Sequence, residues 1–194
     1  RTHQTMSNQD HWQGVYATKP FDEVSWYRAH LERSLDFVRS CQLAPDARIV
    51  DVGGGASTLV DDLLDEGYRN VGGIDLAEAA LAAARQRLGA RAAAVDWIVG
   101  DVTTRLLPDQ SVDLWHDRAV FHFLTQADAR AAYVAEATRA VKPGGHLLVA
   151  TFALDGPDKC SGLPVTRYDA EGLHAVFATS FEKIADAAEL HETP

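Results

Sequence analysis

"IVDVGGGAST", residues 49–58, sets a branched apolar run directly against three consecutive glycines and a Ser-Thr helix start. Glycine costs conformational entropy, so three in a row after a buried strand mean a backbone that turns sharply or lets another group come close. From the residues alone three readings stay open: a turn with no ligand, a dinucleotide loop, or a cradle for some other nucleoside. The dinucleotide fingerprint asks for glycine at the first, third and sixth positions, and here the sixth is Thr58. That weakens pyrophosphate binding and leaves room for a nucleoside without one.

Outward from the loop, strands and helices alternate. "STLVDDLLDEG" (57–67) reads as a helix closed by Gly67, "RNVGGIDL" (69–76) as a second strand, and "AEAALAAARQRL" (77–88) as a helix of strong formers. "VDWIVGDV" (95–102) and "VDLWHDRAV" (112–120) read as the third and fourth strands. "QADARAAYVAEATRAVKPGG" (126–145) is a long helix stopped by Pro143 and two glycines, and "HLLVATF" (146–152) is the fifth strand. A helix over 169–180 and a sixth strand over 181–190 follow. Upstream, "RAHLERSLDFVRSCQL" (28–43) spaces Leu31, Leu35 and Val38 along one helical face, while 11–27 is aromatic-rich and irregular. The expected fold is α/β, a doubly wound, mostly parallel sheet with helices on both faces. Ligands in such sheets bind beyond the carboxyl ends of the strands.

With 194 residues and 46% apolar content, the chain suits a single domain with its own core. We read Arg1 to Thr5 as a vector remnant before a natural start at Met6, and 6–194 as one domain. Within it, 6–44 is an N-terminal lid and helix, 45–152 the core, and 153–194 the acceptor-side loop and C-terminal elements. No apolar stretch is long enough for a membrane span. Cys41 and Cys160 are too few for a disulfide framework and show no metal-ligand spacing, so a reducing cytoplasmic setting without a bound metal is expected. A net charge of −10 repels phosphate backbones and points away from nucleic acid toward a small partner.

The strand ends carry the chemistry. Asp75 closes the second strand about 20 residues beyond the glycine loop, where a carboxylate accepts from both ribose hydroxyls; a helix cap is the plainer role. Asp101 closes the third strand and can accept from a purine amino group, or simply hold a turn. "HDRAVFHF" (116–123) follows the fourth with two histidines, His116 and His122, as candidate bases.

Taken together, "IVDVGGGAST", "GIDLAEAAL", "VGDVT", "DLWHDRAVFHFL" and "VKPGGHLLVATF" resemble, in order and spacing, the class I S-adenosylmethionine-dependent methyltransferases over roughly residues 45–152. The resemblance implies a Rossmann-like sheet of seven strands, of which this chain supplies six, so the last strand is truncated. It also implies a cofactor, S-adenosylmethionine. Gly53, Gly54 and Gly55, with Asp51 behind them, would lie against its methionine part. Asp75 would take the ribose hydroxyls, Leu76 the adenine face, and Asp101 and Val102 the adenine edge. His116 or Asp117 would border the methyl group.

Trp12, Tyr16, Trp26 and Tyr27 are candidates for a lid, or for packing of the N-terminal helix; Cys160, Arg167 and Tyr168 sit on the loop where acceptor contacts belong. A small uncharged or cationic acceptor is expected, methylated by in-line displacement. A protein (lysine) methyltransferase is the alternative, and a nicotinamide-dependent oxidoreductase a weaker one, since no Tyr-x-x-x-Lys pair is present. The unpaired last strand offers an edge for a homodimer.

Overall fold

Near-continuous apolar runs in the central strands leave side chains to bury on both faces of the sheet, and the chain covers both with helices. The computed structural model describes residues 8–18, 30–118 and 120–190. Strands β1 (Arg48–Val52), β2 (Asn70–Asp75), β3 (Val95–Val99), β4 (Val112–Asp117) and β5 (Val141–Val149) form one sheet in the order β3-β2-β1-β4-β5. All four pairings are parallel. The strand order reverses between β1 and β4, which puts the switch point at the glycine loop.

Helices α1 (Asn8–Thr18), α2 (Glu32–Ser40), α3 (Leu59–Asp65), α4 (Glu78–Leu88), α5 (Ala127–Ala140) and α6 (Ala170–Phe177) complete the described fold with a small antiparallel hairpin, β6 (Lys159–Cys160) and β7 (Leu163–Pro164). Ile49 and Leu114 face Leu35 and Val38 of α2 and Leu59 and Leu63 of α3. Val50, Val52 and Trp115 face the opposite way, onto Tyr133, Ala137 and Ala140 of α5 and Phe177 of α6.

Three expectations change, and one element is new. The first part of the aromatic N-terminal stretch is helical: α1 docks on α4, where Gln13 Oε1 accepts from the Ala79 backbone N–H at 3.1 Å. The long helix ends at Ala140, and β5 begins at once with Val141, so Pro143 lies within a strand at the sheet edge, where a missing N–H is tolerated. Residues 181–190 form no strand; Ile184 is 76% and Leu190 81% exposed. Their apolar positions do not alternate with period two, so no sheet face could bury them. The β6–β7 hairpin has no counterpart in the sequence reading, because two-residue strands carry no periodicity.

Candidate functional site

At the carboxyl end of β1 the chain turns through Gly53, whose φ of +74° places it in the left-handed region. A Cβ there would overlap Val120, and a Cβ on Gly55 would overlap Ala80 of α4. These two glycines therefore let the fold close around the loop as well as exposing backbone. The next carboxylate along the sheet edge joins them. Asp75 Oδ2 accepts from the Gly55 N–H at 3.2 Å and Oδ1 from the Ala77 N–H at 2.9 Å. Burial raises the Asp75 carboxyl to about 6, against the pull of those backbone donors. The side chain ties the glycine loop to the start of α4, and each oxygen retains a lone pair for a further donor. Leu76, beside it, is half-buried.

Asp101 is exposed; its Oδ1 accepts from the Thr103 N–H at 2.8 Å and the Thr103 hydroxyl at 2.7 Å, which is the turn geometry of a short acidic side chain. Val102 is buried in the core cluster that faces α5.

Neighbours His116 and Asp117 part company, because successive strand residues point to opposite faces. His116 Nδ1 lies 2.8 Å from Asp51 Oδ1, and its Nε2 lies 2.8 Å from Ser34 Oγ on α2; the ring is sealed from solvent. With both nitrogens engaged, it has none to offer a methyl acceptor, against the expectation that it borders the methyl group as a base. Asp117 faces α5, where it accepts from the Val120 N–H at 2.7 Å, the Phe121 N–H at 2.9 Å and the Tyr133 hydroxyl at 2.5 Å. Trp115 Nε1 donates in turn to Tyr133 Oη at 2.9 Å. Burial lifts Asp117 to about 6. Its carboxylate closes the turn after β4, on the far side of the sheet from His116.

His122 is different. It is 2% exposed, and neither ring nitrogen has a hydrogen-bond partner. The ring stands edge-on to Phe123 with centroids 4.3 Å apart and 5.0 Å from Phe152. Burial lowers it to about 4, so the imidazole is neutral near pH 7. Trp12 of α1 reaches Phe123 edge-on at 5.0 Å. From the other side, the Thr166 N–H donates to the His122 carbonyl at 2.7 Å and the Tyr168 N–H to the Phe152 carbonyl at 3.0 Å. The loop after β5 thus straps across the turn that carries His122. Arg167 Nη1 pins that loop through the Gly156 carbonyl at 2.9 Å, Cys160 is buried in β6, and the Tyr168 hydroxyl is buried without a partner. The side chains of Tyr16, Trp26 and Tyr27 lie outside the described residues.

Sequence reasoning missed Ser34 and Tyr133. A signal for Ser34 existed: it is a polar residue inside the apolar stripe of Leu31, Leu35 and Val38, buried with them.

A five-stranded parallel sheet with its switch point at a glycine loop, and an acid at the end of β2 tied to that loop, defines a nucleoside-binding α/β domain of the class I methyltransferase kind. Residues 50–149 match the model of the methyltransferase domain family, and the chain belongs to that family, whose cofactor is S-adenosylmethionine. Over 150 residues it is 25% identical to the eEF1A lysine and N-terminal methyltransferase of Bos taurus, covering 74% of this chain and 21% of that protein. Over 142 residues it is 30% identical to the ubiquinone biosynthesis O-methyltransferase of Alkalilimnicola ehrlichii, covering 73% of this chain and 54% of that one. The phosphoethanolamine N-methyltransferase 2 of Haemonchus contortus, solved with phosphomonomethylethanolamine and S-adenosylhomocysteine, superposes with a TM-score of 0.71 at 18% identity over 91% of this chain and 44% of that one. The chain spans only 21% and 54% of the lengths of these two curated relatives. Among the described residues no helix is long and apolar enough to cross a membrane.

Proposed function

We propose that this protein transfers the methyl group of S-adenosylmethionine to a small-molecule acceptor. The observation that carries the reading is the Gly55–Asp75 contact at the switch point of the sheet, in a chain of the methyltransferase domain family. A carboxylate held there, with free lone pairs on both oxygens, suits two ribose hydroxyls. Asp51 Oδ2, buried and without a partner just under Gly54, suits the cationic amino group of the methionine part. Gly53 to Gly55 offer backbone to that same part. Leu76 takes the adenine face, and Asp101 and Val102 its edge.

When bound, the cofactor supplies an electrophilic methyl carbon on a sulfonium, with a neutral thioether as leaving group. The protein's share is alignment and exclusion of water. Trp12 with α1 on one side and the loop of Cys160, Arg167 and Tyr168 on the other enclose the acceptor. His122 hydrogen-bonds the acceptor's nucleophilic atom. With its basicity lowered to about 4 it orients that atom and takes a proton only as the methyl bond forms.

Incubation with labelled S-adenosylmethionine and a panel of phenols, thiols, amines and chalcogen anions tests the reading. Label in a small-molecule product is expected. Label confined to protein bands would favour the protein (lysine) alternative, toward which the eEF1A relative points by name. We further place the protein in the cytoplasm and propose a homodimer through the β5 edge, which sedimentation would test.

A further inference from the structure

Three buried side chains from three separate elements form a hydrogen-bonded row: Ser34 on α2, His116 on β4 and Asp51 on β1, with both links 2.8 Å long. The proton on Nδ1 follows from its partner. A carboxylate only accepts, so His116 donates from Nδ1 to Asp51, while its Nε2 pairs with the Ser34 hydroxyl, a group that can donate or accept. The row ends abruptly. Asp51 Oδ2 is buried and has no partner, and it lies where a Cβ added to Gly54 would stand 3.0 Å away. A buried carboxylate with a single donor is short of compensation, and the missing partner on the loop side is a donor, best a cation.

We propose that Ser34 and His116 are positioning residues for the cofactor's amino group. His116 locks the rotation of the Asp51 carboxylate, Ser34 holds the His116 ring in the orientation that faces Asp51, and Oδ2 is thereby aimed past Gly54 to receive the α-ammonium. The proposal rests on the methyltransferase reading above and adds the device that orients its ammonium site. Without the imidazole, the carboxylate is free to turn toward the N–H groups of its own loop. The row also ties α2 to the cofactor, because a ligand that strengthens one end of a hydrogen-bonded chain must be bound more tightly when the other end is intact.

The test is calorimetric, with two ligands: S-adenosylhomocysteine and its deaminated analogue 5′-S-(3-carboxypropyl)-5′-thioadenosine, which keeps the nucleoside and the carboxylate. The wild-type protein should prefer S-adenosylhomocysteine by about tenfold or more. In His116→Phe that preference should collapse to within about twofold, while affinity for the deaminated ligand is retained. His116→Asn, whose amide reproduces the Nδ1 donor, should restore most of the preference, and Ser34→Ala should lose part of it. Equal weakening of both ligands by His116→Phe, or an unchanged preference, would overturn the proposal and make the row a structural cross-link. If His116→Phe shows no cooperative melting, Ser34→Ala decides: an undiminished preference there overturns the proposal. Failure of the wild-type protein to bind either ligand would instead overturn the cofactor reading, and the proposal with it.

Discussion

The Gly55 N–H points at Asp75 Oδ2 across 3.2 Å, so the backbone of the glycine loop and the acid at the end of β2 are one unit before any ligand arrives. Asp75→Ala should therefore act twice. It leaves the Gly55 and Ala77 N–H groups without their acceptor, lowering stability by about 1–3 kcal/mol, and it removes a charged acceptor from the ribose hydroxyls, lowering affinity for S-adenosylhomocysteine by about 1.5–3 kcal/mol. Urea denaturation and calorimetry on the same preparation separate the two effects. Unchanged affinity would reduce Asp75 to a cap on α4.

The same carboxyl gives cofactor binding a pH dependence. It is raised to about 6 when folded, against an ordinary 3.8, so between those values the folded state holds the proton more tightly than the unfolded chain. Its contribution to stability accordingly falls as pH rises from about 4 to 6. The ionised form is the one that accepts from ribose, so affinity for S-adenosylhomocysteine should climb over pH 5–7 and then level off. Calorimetry across that range checks it, and Asp75→Asn should flatten the profile.

His122 should show the opposite sign in stability. Lowered to about 4 from 6.5, it resists protonation in the fold while the unfolded chain takes the proton, so the fold loses stability as pH falls from 6.5 toward 4. His122→Phe fills similar space without two unpartnered nitrogens and should melt at or above the wild-type temperature at pH 7. Its methyl-transfer kcat should fall by about 10-fold or more, as expected for loss of a group that handles a proton. Full retention of kcat would remove His122 from the acceptor site.

Gly55 and Ala80 meet too closely for a second Cβ. Gly55→Ala should destabilise by about 1–3 kcal/mol through overpacking. Adding Ala80→Gly, which alone costs about 1 kcal/mol of helix propensity, should recover part of that loss. Additive losses in the double variant would show that the loop needs its bare backbone for another reason.

Tyr133→Phe strips the hydroxyl that links Trp115 Nε1 to Asp117. A loss of about 1–3 kcal/mol is expected, since a buried indole N–H and a buried carboxylate both lose a partner. Affinity for S-adenosylhomocysteine should hold, because this network lies on the α5 face. Melting curves and calorimetry together test the separation.

Much of this was legible in the chain itself. The loop at 53–55 and the acid at 75 stand at the ends of β1 and β2, as the sequence predicts, because apolar runs flanked by turn residues mark where strands stop. Residues 181–190 have the apolar content of a strand without the period of two that a sheet face demands, and they form none. The helical α1 was hidden by its aromatics, and it is held by contacts to α4 that no local pattern announces.

By itself the sequence determined the alternation of strands and helices, hence the parallel sheet and the gathering of Gly53, Asp75 and His122 at its carboxyl edge; period and propensity are local properties that a short window carries. Only the tertiary structure decided that His116 and Asp117, adjacent in the chain, serve opposite faces. His116 meets Ser34 from 82 residues upstream, and Asp117 meets Tyr133 from 16 residues downstream. A side chain's partner is set by whichever helix packs across its strand, and that is fixed by burying both faces of the sheet at once, a constraint that no single stretch of residues contains.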